Sequence, residues 1–347
     1  MNSTLDRADL DHMLARGAGD WLALQGARLF ITGGTGFVGK WLLESLIHAN
    51  RELSLGAKAV VLSRTPERFA QESPWLAADP SVSLVGGDIR DFVFPKGFFT
   101  HAVHAATDVV ASNSLLDTFD VTVSGTRRVL DFCVERGVSN LLLVSSGAVY
   151  GRQPLTVDHV SEDFFGAPLT TDPKSAYGIG KRTSEWLATT YACEKGLSCK
   201  IARCFAFVGP YLALDKHFAV GNFLRDVLAG KSIHVGGDGA PLRSYLHAAD
   251  LAVWLWTILL RGQLARPYNV GSDQALSISD LANAVARVAG MPNTEINVAR
   301  SQVAGQIAER YIPDIARARS ELGLEIWLPL EEGLQRTVDW YRRQLRD

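Results

Sequence analysis

Two alternating patterns run along the 347-residue chain. Short apolar, β-branched runs bounded by glycine, serine or aspartate mark buried strands, and longer stretches with apolar residues three and four positions apart mark helices. Strands are predicted at Arg28–Thr32, Lys58–Leu62, Val82–Val85, His101–Thr107 and Asn140–Ser146. Helices are predicted after Gly39, over Leu115–Glu135 and from Tyr177 onward, with a last one over Leu330–Leu345. Alternation of this kind predicts a doubly wound α/β fold on a parallel sheet, with ligands bound outside the strand C-terminal ends. Arg266–Val270 is expected to return to that sheet. At the N-terminus, Leu5–Leu24 mixes charges and apolar residues at helical spacing and is expected as a helical extension, residues 1–26, unlike the continuous apolar core of a secretory signal. Leu251–Leu260 is apolar but for Thr257 and lies between Asp250 and Arg261, too short to span a bilayer.

Composition narrows the classes. Net charge is −2, with 35 basic and 37 acidic residues spread through the chain, so no footprint for nucleic acid or an anionic membrane is expected. The four cysteines, Cys133, Cys193, Cys199 and Cys204, show no C-x-x-C spacing; reduced, buried thiols and a cytoplasmic setting are expected. His101 and His104 on one short strand point to opposite faces, with no third ligand near, and metal ligation is not expected.

The chemistry begins at the first strand, which runs into Gly33, Gly36 and Gly39 and then a helix. Such glycines permit a tight reversal, close approach of backbone to a pyrophosphate, and contact of helix with strand. The anion then rests on the helix N-terminus. Gly34–Trp41 nearly spells an NTPase phosphate loop, but Trp41 stands where a hydroxyl must reach Mg²⁺, which argues against a nucleotide hydrolase. At the tip of the second strand stands Arg64, with Arg68 a turn beyond; an arginine here accepts a 2′-phosphate, so NADP is favoured over NAD. Asp88 ends the third strand region, where it can accept from an adenine amine or merely serve a turn. The small residues Ala105, Ala106 and Thr107 end the fourth.

Tyr177 and Lys181 stand four residues apart, on one helix face. A nearby ammonium favours the phenolate, which fits Tyr177 for general acid/base work on an alcohol or carbonyl. Ser146, at the end of the fifth strand, can donate to the same substrate oxygen.

These residues resemble the extended short-chain dehydrogenase/reductase family, in its nucleotide-sugar epimerase/dehydratase branch. The likeness rests on Thr32–Gly39, Gly87–Arg90, Ser145–Gly151, Tyr177/Lys181 and Arg203–Pro210. It implies a Rossmann domain over 27–205 plus about 243–273, and a smaller α+β substrate lobe over about 206–242 and 274–347. It further implies cofactor contacts from Phe37, Val38 and Ile89, a nucleotide-sugar substrate near Ser146 and Ala206, diphosphate contacts from Asn222 and Arg243, and a second cation from Arg310. A homodimer through paired helices is implied by the resemblance alone. Branch members that dehydrate or decarboxylate place acidic residues directly after the active-site serine or threonine, where this chain has Gly147 and Ala148. Ala206 and Thr122 replace asparagines frequent in the branch. The expected reaction is therefore epimerisation or keto reduction at C4 in the hexose, with 4,6-dehydration or decarboxylation and a non-catalytic NAD(P) sensor as alternatives.

Overall fold

The computed structural model describes residues 4–106, 114–216, 218–301 and 307–346. In chain order the elements are α1 (Arg7–Arg16), β1 (Arg28–Thr32), α2 (Phe37–Leu53), β2 (Lys58–Ser63), α3 (Pro66–Glu72), α4 (Pro74–Ala77), β3 (Val82–Gly86), β4 (His101–His104), α5 (Leu115–Glu135), β5 (Asn140–Ser146), α6 (Ala176–Lys195) and β6 (Ser198–Cys204). There follow β7 (Phe207–Val208), α7 (Ala219–Leu228), β8 (Ile233–Val235), β9 (Leu242–Arg243), β10 (Leu246–His247), α8 (Ala248–Arg261), β11 (Pro267–Val270), β12 (Leu276–Ser277), α9 (Ile278–Val288), β13 (Ile296–Val298), β14 (Arg310–Tyr311), α10 (Ala316–Leu322) and α11 (Leu330–Gln344).

Contacts divide the chain into two units. The first comprises 1–151, 165–204 and 252–268; the second comprises 152–164, 205–251 and 269–347. Residues 152–164 thus group with the second unit and the N-terminal segment with the first, and neither grouping has a mark in the sequence.

The first unit is built on a seven-stranded sheet in the order β11-β6-β5-β4-β1-β2-β3. The pairings from β3 across to β6 are parallel. Strand order reverses between β1 and β4, and the crevice outside that reversal is where doubly wound sheets bind ligands. β1 carries apolar side chains on both faces, as a strand covered on both sides must. Phe30 packs with Phe92, Phe99 and Phe132 on one face, its ring centroid 4.2 Å from that of Phe132. Elsewhere in this unit Trp21 packs on Trp256, whose indole N–H donates to Ser45 Oγ at 2.9 Å.

The N-terminal extension differs from the single helix expected. α1 stops at Arg16, and a separate turn covers Trp21–Leu24. The Trp21 indole donates to the carbonyl of Leu14 and lies where a Cβ on Gly17 would sit 2.7 Å from its nitrogen, so the helix ends against its own tryptophan. Of the cysteines, Cys133, Cys199 and Cys204 are buried, whereas Cys193 is exposed on α6, correcting the expectation of four buried thiols.

The second unit holds three small sheets, β7 with β10, β12-β9-β14, and β8 with β13. α9 opens with a capping box in which Ser277 and Asp280 satisfy each other's backbone N–H groups. It buries Leu281 and Val285 in a unit that also contains α7 and α11. Among the described residues, no helix is long and apolar enough to cross a membrane, and no group of three or more His, Cys, Asp or Glu could hold a metal ion.

Candidate active site

The glycine turn between β1 and α2 is fixed by backbone packing. Gly33 has φ +73°, and a Cβ there would lie 2.6 Å from the Ala105 carbonyl group. A Cβ on Gly39 would lie 2.3 Å from the Gly33 oxygen, so the helix can approach the strand only without a side chain. Gly36 precedes the helix, its N–H bonded to the Gly33 carbonyl at 3.1 Å. Phe37 and Val38 are half-buried in the first turn of α2, where amide N–H groups lack intrahelical partners.

Beside this turn lies a cavity of about 210 Å³ lined by Gly33, Gly36, Arg64, Asp88, Ile89, Ala105 and Ala106, all expected there. Thr35 of the glycine turn, Leu62 and Ser63 at the end of β2, and Asp117, Thr118 and Val121 on α5 complete the lining; the three on α5 carry no motif. Thr107 lies outside the described residues. A pyrophosphate-bearing dinucleotide suits this cradle: Gly33 and Gly39 keep the turn free of side chains beside the unpaired N–H groups of the first turn of α2. Asp88 is gripped by Arg90, whose Nε and Nη2 donate to the two carboxylate oxygens at 2.8 and 2.9 Å. That pairing holds the carboxyl below its ordinary range. Arg68, in contrast, is exposed and turned to Glu72.

A buried polar chain that sequence reading missed braces the cradle. His104 Nδ1 lies 2.8 Å from Thr32 Oγ1 and Nε2 lies 3.0 Å from Thr126 Oγ1. Thr126 gives its hydroxyl proton to the Thr122 carbonyl at 2.6 Å, so it accepts from Nε2–H, and Nδ1 accepts from Thr32. The Ala106 N–H in turn donates to Thr32 Oγ1 at 3.3 Å. Burial, then the charge of Lys181, drives His104 down to about 3, which keeps it neutral as this network requires. Thr122 is buried in the close approach of α5 and α6, where Gly180 faces it.

Ser146 ends β5 as a buried residue and caps the one-turn helix Gly147–Tyr150, its Oγ accepting from the Ala148 N–H at 3.2 Å. Acceptance leaves the hydroxyl proton to be donated. α6 is pressed against this corner: a Cβ on Gly178 would sit 2.8 Å from the Ala148 oxygen. Tyr177, next to that glycine, is half-buried. Lys181 follows one turn later, with Nζ 5.9 Å from the Tyr177 ring centroid and donating to the Val144 carbonyl at 2.8 Å. The structure therefore brings Ser146, Tyr177 and Lys181 to one corner.

Burial drives the Lys181 ammonium down to about 8, with Cys204 and Glu185 acting in the opposite direction. Above that value the folded chain releases a proton that the unfolded chain still holds, so stability relative to Lys181→Met rises with pH toward the ordinary lysine range. Thermal midpoints of both proteins between about pH 7 and 10 should show that growing advantage; a constant difference would remove this reading of the lysine.

Apart from Ser146 in the first unit, the residues expected to hold substrate lie in the second unit. The Ala206 carbonyl accepts from Leu246 N–H at 3.1 Å, and Asn222 Oδ1 accepts from Arg225 at 3.2 Å. Arg243 on β9 donates to the Leu242 carbonyl at 2.8 Å. β14 runs parallel to β9, with Arg310 opposite Leu242 and Tyr311 opposite Arg243. Arg310 is ion-paired with Asp158 within the unit.

A glycine-turn cradle beside a Ser-Tyr-Lys corner on a doubly wound sheet defines an extended short-chain dehydrogenase/reductase. Residues 29–271 match the NAD dependent epimerase/dehydratase family, and the chain belongs to it. It is 28% identical over 321 residues to UDP-glucuronic acid decarboxylase 1 of Xenopus tropicalis, covering 92% of this chain and 73% of that protein. It is 29% identical to dTDP-glucose 4,6-dehydratase of Streptomyces antibioticus, covering 90% and 92%. Among solved structures, DesIV, the dTDP-glucose 4,6-dehydratase of Streptomyces venezuelae with NAD and TYD bound, superposes with a TM-score of 0.77 at 26% identity over 91% of this chain and 97% of that one.

Proposed function

We propose that this protein oxidises and reduces a nucleotide-activated hexose at C4, as an epimerase or ketoreductase using NADP or NAD. The observation that carries the choice is the turn after Ser146, where Gly147 and Ala148 supply no carboxylate. Elimination of water needs an acid to protonate the leaving hydroxyl, whereas redox at a carbinol carbon needs only a proton acceptor, a hydride partner and a donor to the oxygen. Tyr177 takes the hydroxyl proton, Lys181 favours the phenolate that does so, and Ser146 donates to the oxygen as charge develops. A bound nicotinamide supplies the hydride acceptor and donor. In this reading the first unit holds the dinucleotide through the glycine turn, Asp88, Ile89 and Ala105–Ala106. The second holds the sugar nucleotide through Ala206, Asn222, Arg243 and Arg310.

Relatives named for decarboxylation and 4,6-dehydration support a nucleotide-sugar substrate. Incubation with UDP- and dTDP-hexoses, followed by product NMR and reduced-nicotinamide absorbance, decides between the reactions. An epimer without net cofactor change or stoichiometric consumption of NADPH supports the proposal; a 4-keto-6-deoxy or decarboxylated product, or no turnover, overturns it.

NADP preference rests on Arg64 and Ser63 lining the cofactor cavity at the end of β2. Arg64→Ala is expected to weaken NADP binding about 10–100-fold, the range of a charge-assisted phosphate contact, and NAD binding little. Calorimetric titration checks it, and equal losses for both would remove the preference. The exposed Leu116 on α5 and Trp186 on α6 support a homodimer through these helices. The reduced cysteines fit a cytoplasmic enzyme.

A further inference from the structure

We infer that Glu185, with Arg203, is a positioning residue that sets the Ser146 corner against the helix carrying Tyr177 and Lys181. The inference rests on the proposed roles of those three residues. Glu185 lies four residues after Lys181, on the same face of α6. Its Oε1 accepts from Ser145 Oγ at 2.6 Å, and its two oxygens accept from Arg203, Nη2 to Oε2 at 2.7 Å and Nε to Oε1 at 3.0 Å. Arg203 is paired in register with Ser145 across β5 and β6, and its Nη1 donates to the Tyr150 hydroxyl at 2.9 Å.

The neighbours of Ser146 are thereby tied on both sides. Lys181 holds the Val144 carbonyl, Glu185 holds Ser145, Arg182 donates to the Val149 carbonyl at 3.1 Å, and Arg203 holds Tyr150. Three of these four ties come from one helical turn of α6. A buried ion pair is poor evidence for stability, because desolvation offsets the attraction. Its use here is geometric: the carboxylate joins strand, turn and helix in one arrangement, and misplacement of a catalytic hydroxyl by about 1 Å costs on the order of 100-fold in rate.

Glu185→Gln leaves the Arg203 charge uncompensated and risks failing to fold. Ser145→Ala and Tyr150→Phe each remove a single tie and leave the ion pair intact. On the sugar nucleotide that the wild-type enzyme turns over, each is expected to lower kcat about 10-fold while the dissociation constant for NADH or NADPH, read by fluorescence, stays within about two-fold. Ser145→Thr, which keeps the hydroxyl, is expected to restore kcat. Wild-type kcat in both single-tie variants, or loss of kcat matched by equal loss of dinucleotide affinity, would overturn the inference. If the wild type turns over none of the sugars tried, the functional proposal fails and hydrogen–deuterium exchange decides this one. Faster exchange confined to residues 144–151 in Ser145→Ala supports the ties, and unchanged protection there overturns them.

Discussion

Tyr177→Phe is expected to lower kcat about 10²–10⁴-fold, the range ascribed to a positioned acid/base group, with dinucleotide affinity nearly unchanged. The substitution removes one oxygen and its transferable proton. The ring stays half-buried at the start of α6, and Lys181 keeps its bond to the Val144 carbonyl. Loss confined to kcat is therefore the signature of a group that acts in the transition state and not in cofactor binding. Steady-state kinetics on the accepted sugar nucleotide, with a parallel fluorescence titration of NADPH, separate the two. Wild-type turnover would dismiss Tyr177 as the acid/base.

Gly33→Ala is expected to weaken dinucleotide binding about 100-fold or more, equivalent to about 2.7 kcal/mol, and to lower the thermal midpoint. Two costs add. A positive φ strains an alanine by about 1 kcal/mol. The new methyl also lies 2.6 Å from a carbonyl group whose strand end is braced by His104 and Thr32, so the backbone cannot yield without disturbing the cradle. Gly56 supplies the control. Its φ is +66°, but a Cβ there meets nothing within 4 Å, so Gly56→Ala carries the strain without the collision. Comparable dinucleotide affinity in the two variants would refute the account of the turn.

Legibility in the sequence followed the range of the interaction. β1, β5 and α5 were readable because apolar periodicity and glycine breaks are local, and their bounds match the sequence reading. The cofactor turn was readable because steric demands on Gly33 and Gly39 leave few other residues possible. What brings Glu185 to Ser145, or His104 to Thr32 and Thr126, is the stacking order of strands from distant parts of the chain. A lone buried histidine or glutamate carries no mark of its partner. The same holds for Arg310, whose pairing with Asp158 crosses a long stretch of sequence, and for the break after α1, which depends on where the Trp21 indole folds back.

The sheet order bears on how the chain is assembled. β6 has β5 on one side and β11 on the other, and β11 is made only after α7, α8 and the first strands of the second unit. During synthesis the backbone edge of β6 therefore waits unpaired while more than fifty intervening residues emerge. An open edge beside a nearly finished parallel sheet invites strand addition from another chain. Yield of this protein in a host cell should accordingly depend on growth temperature and chaperone supply more than on the strength of its finished core.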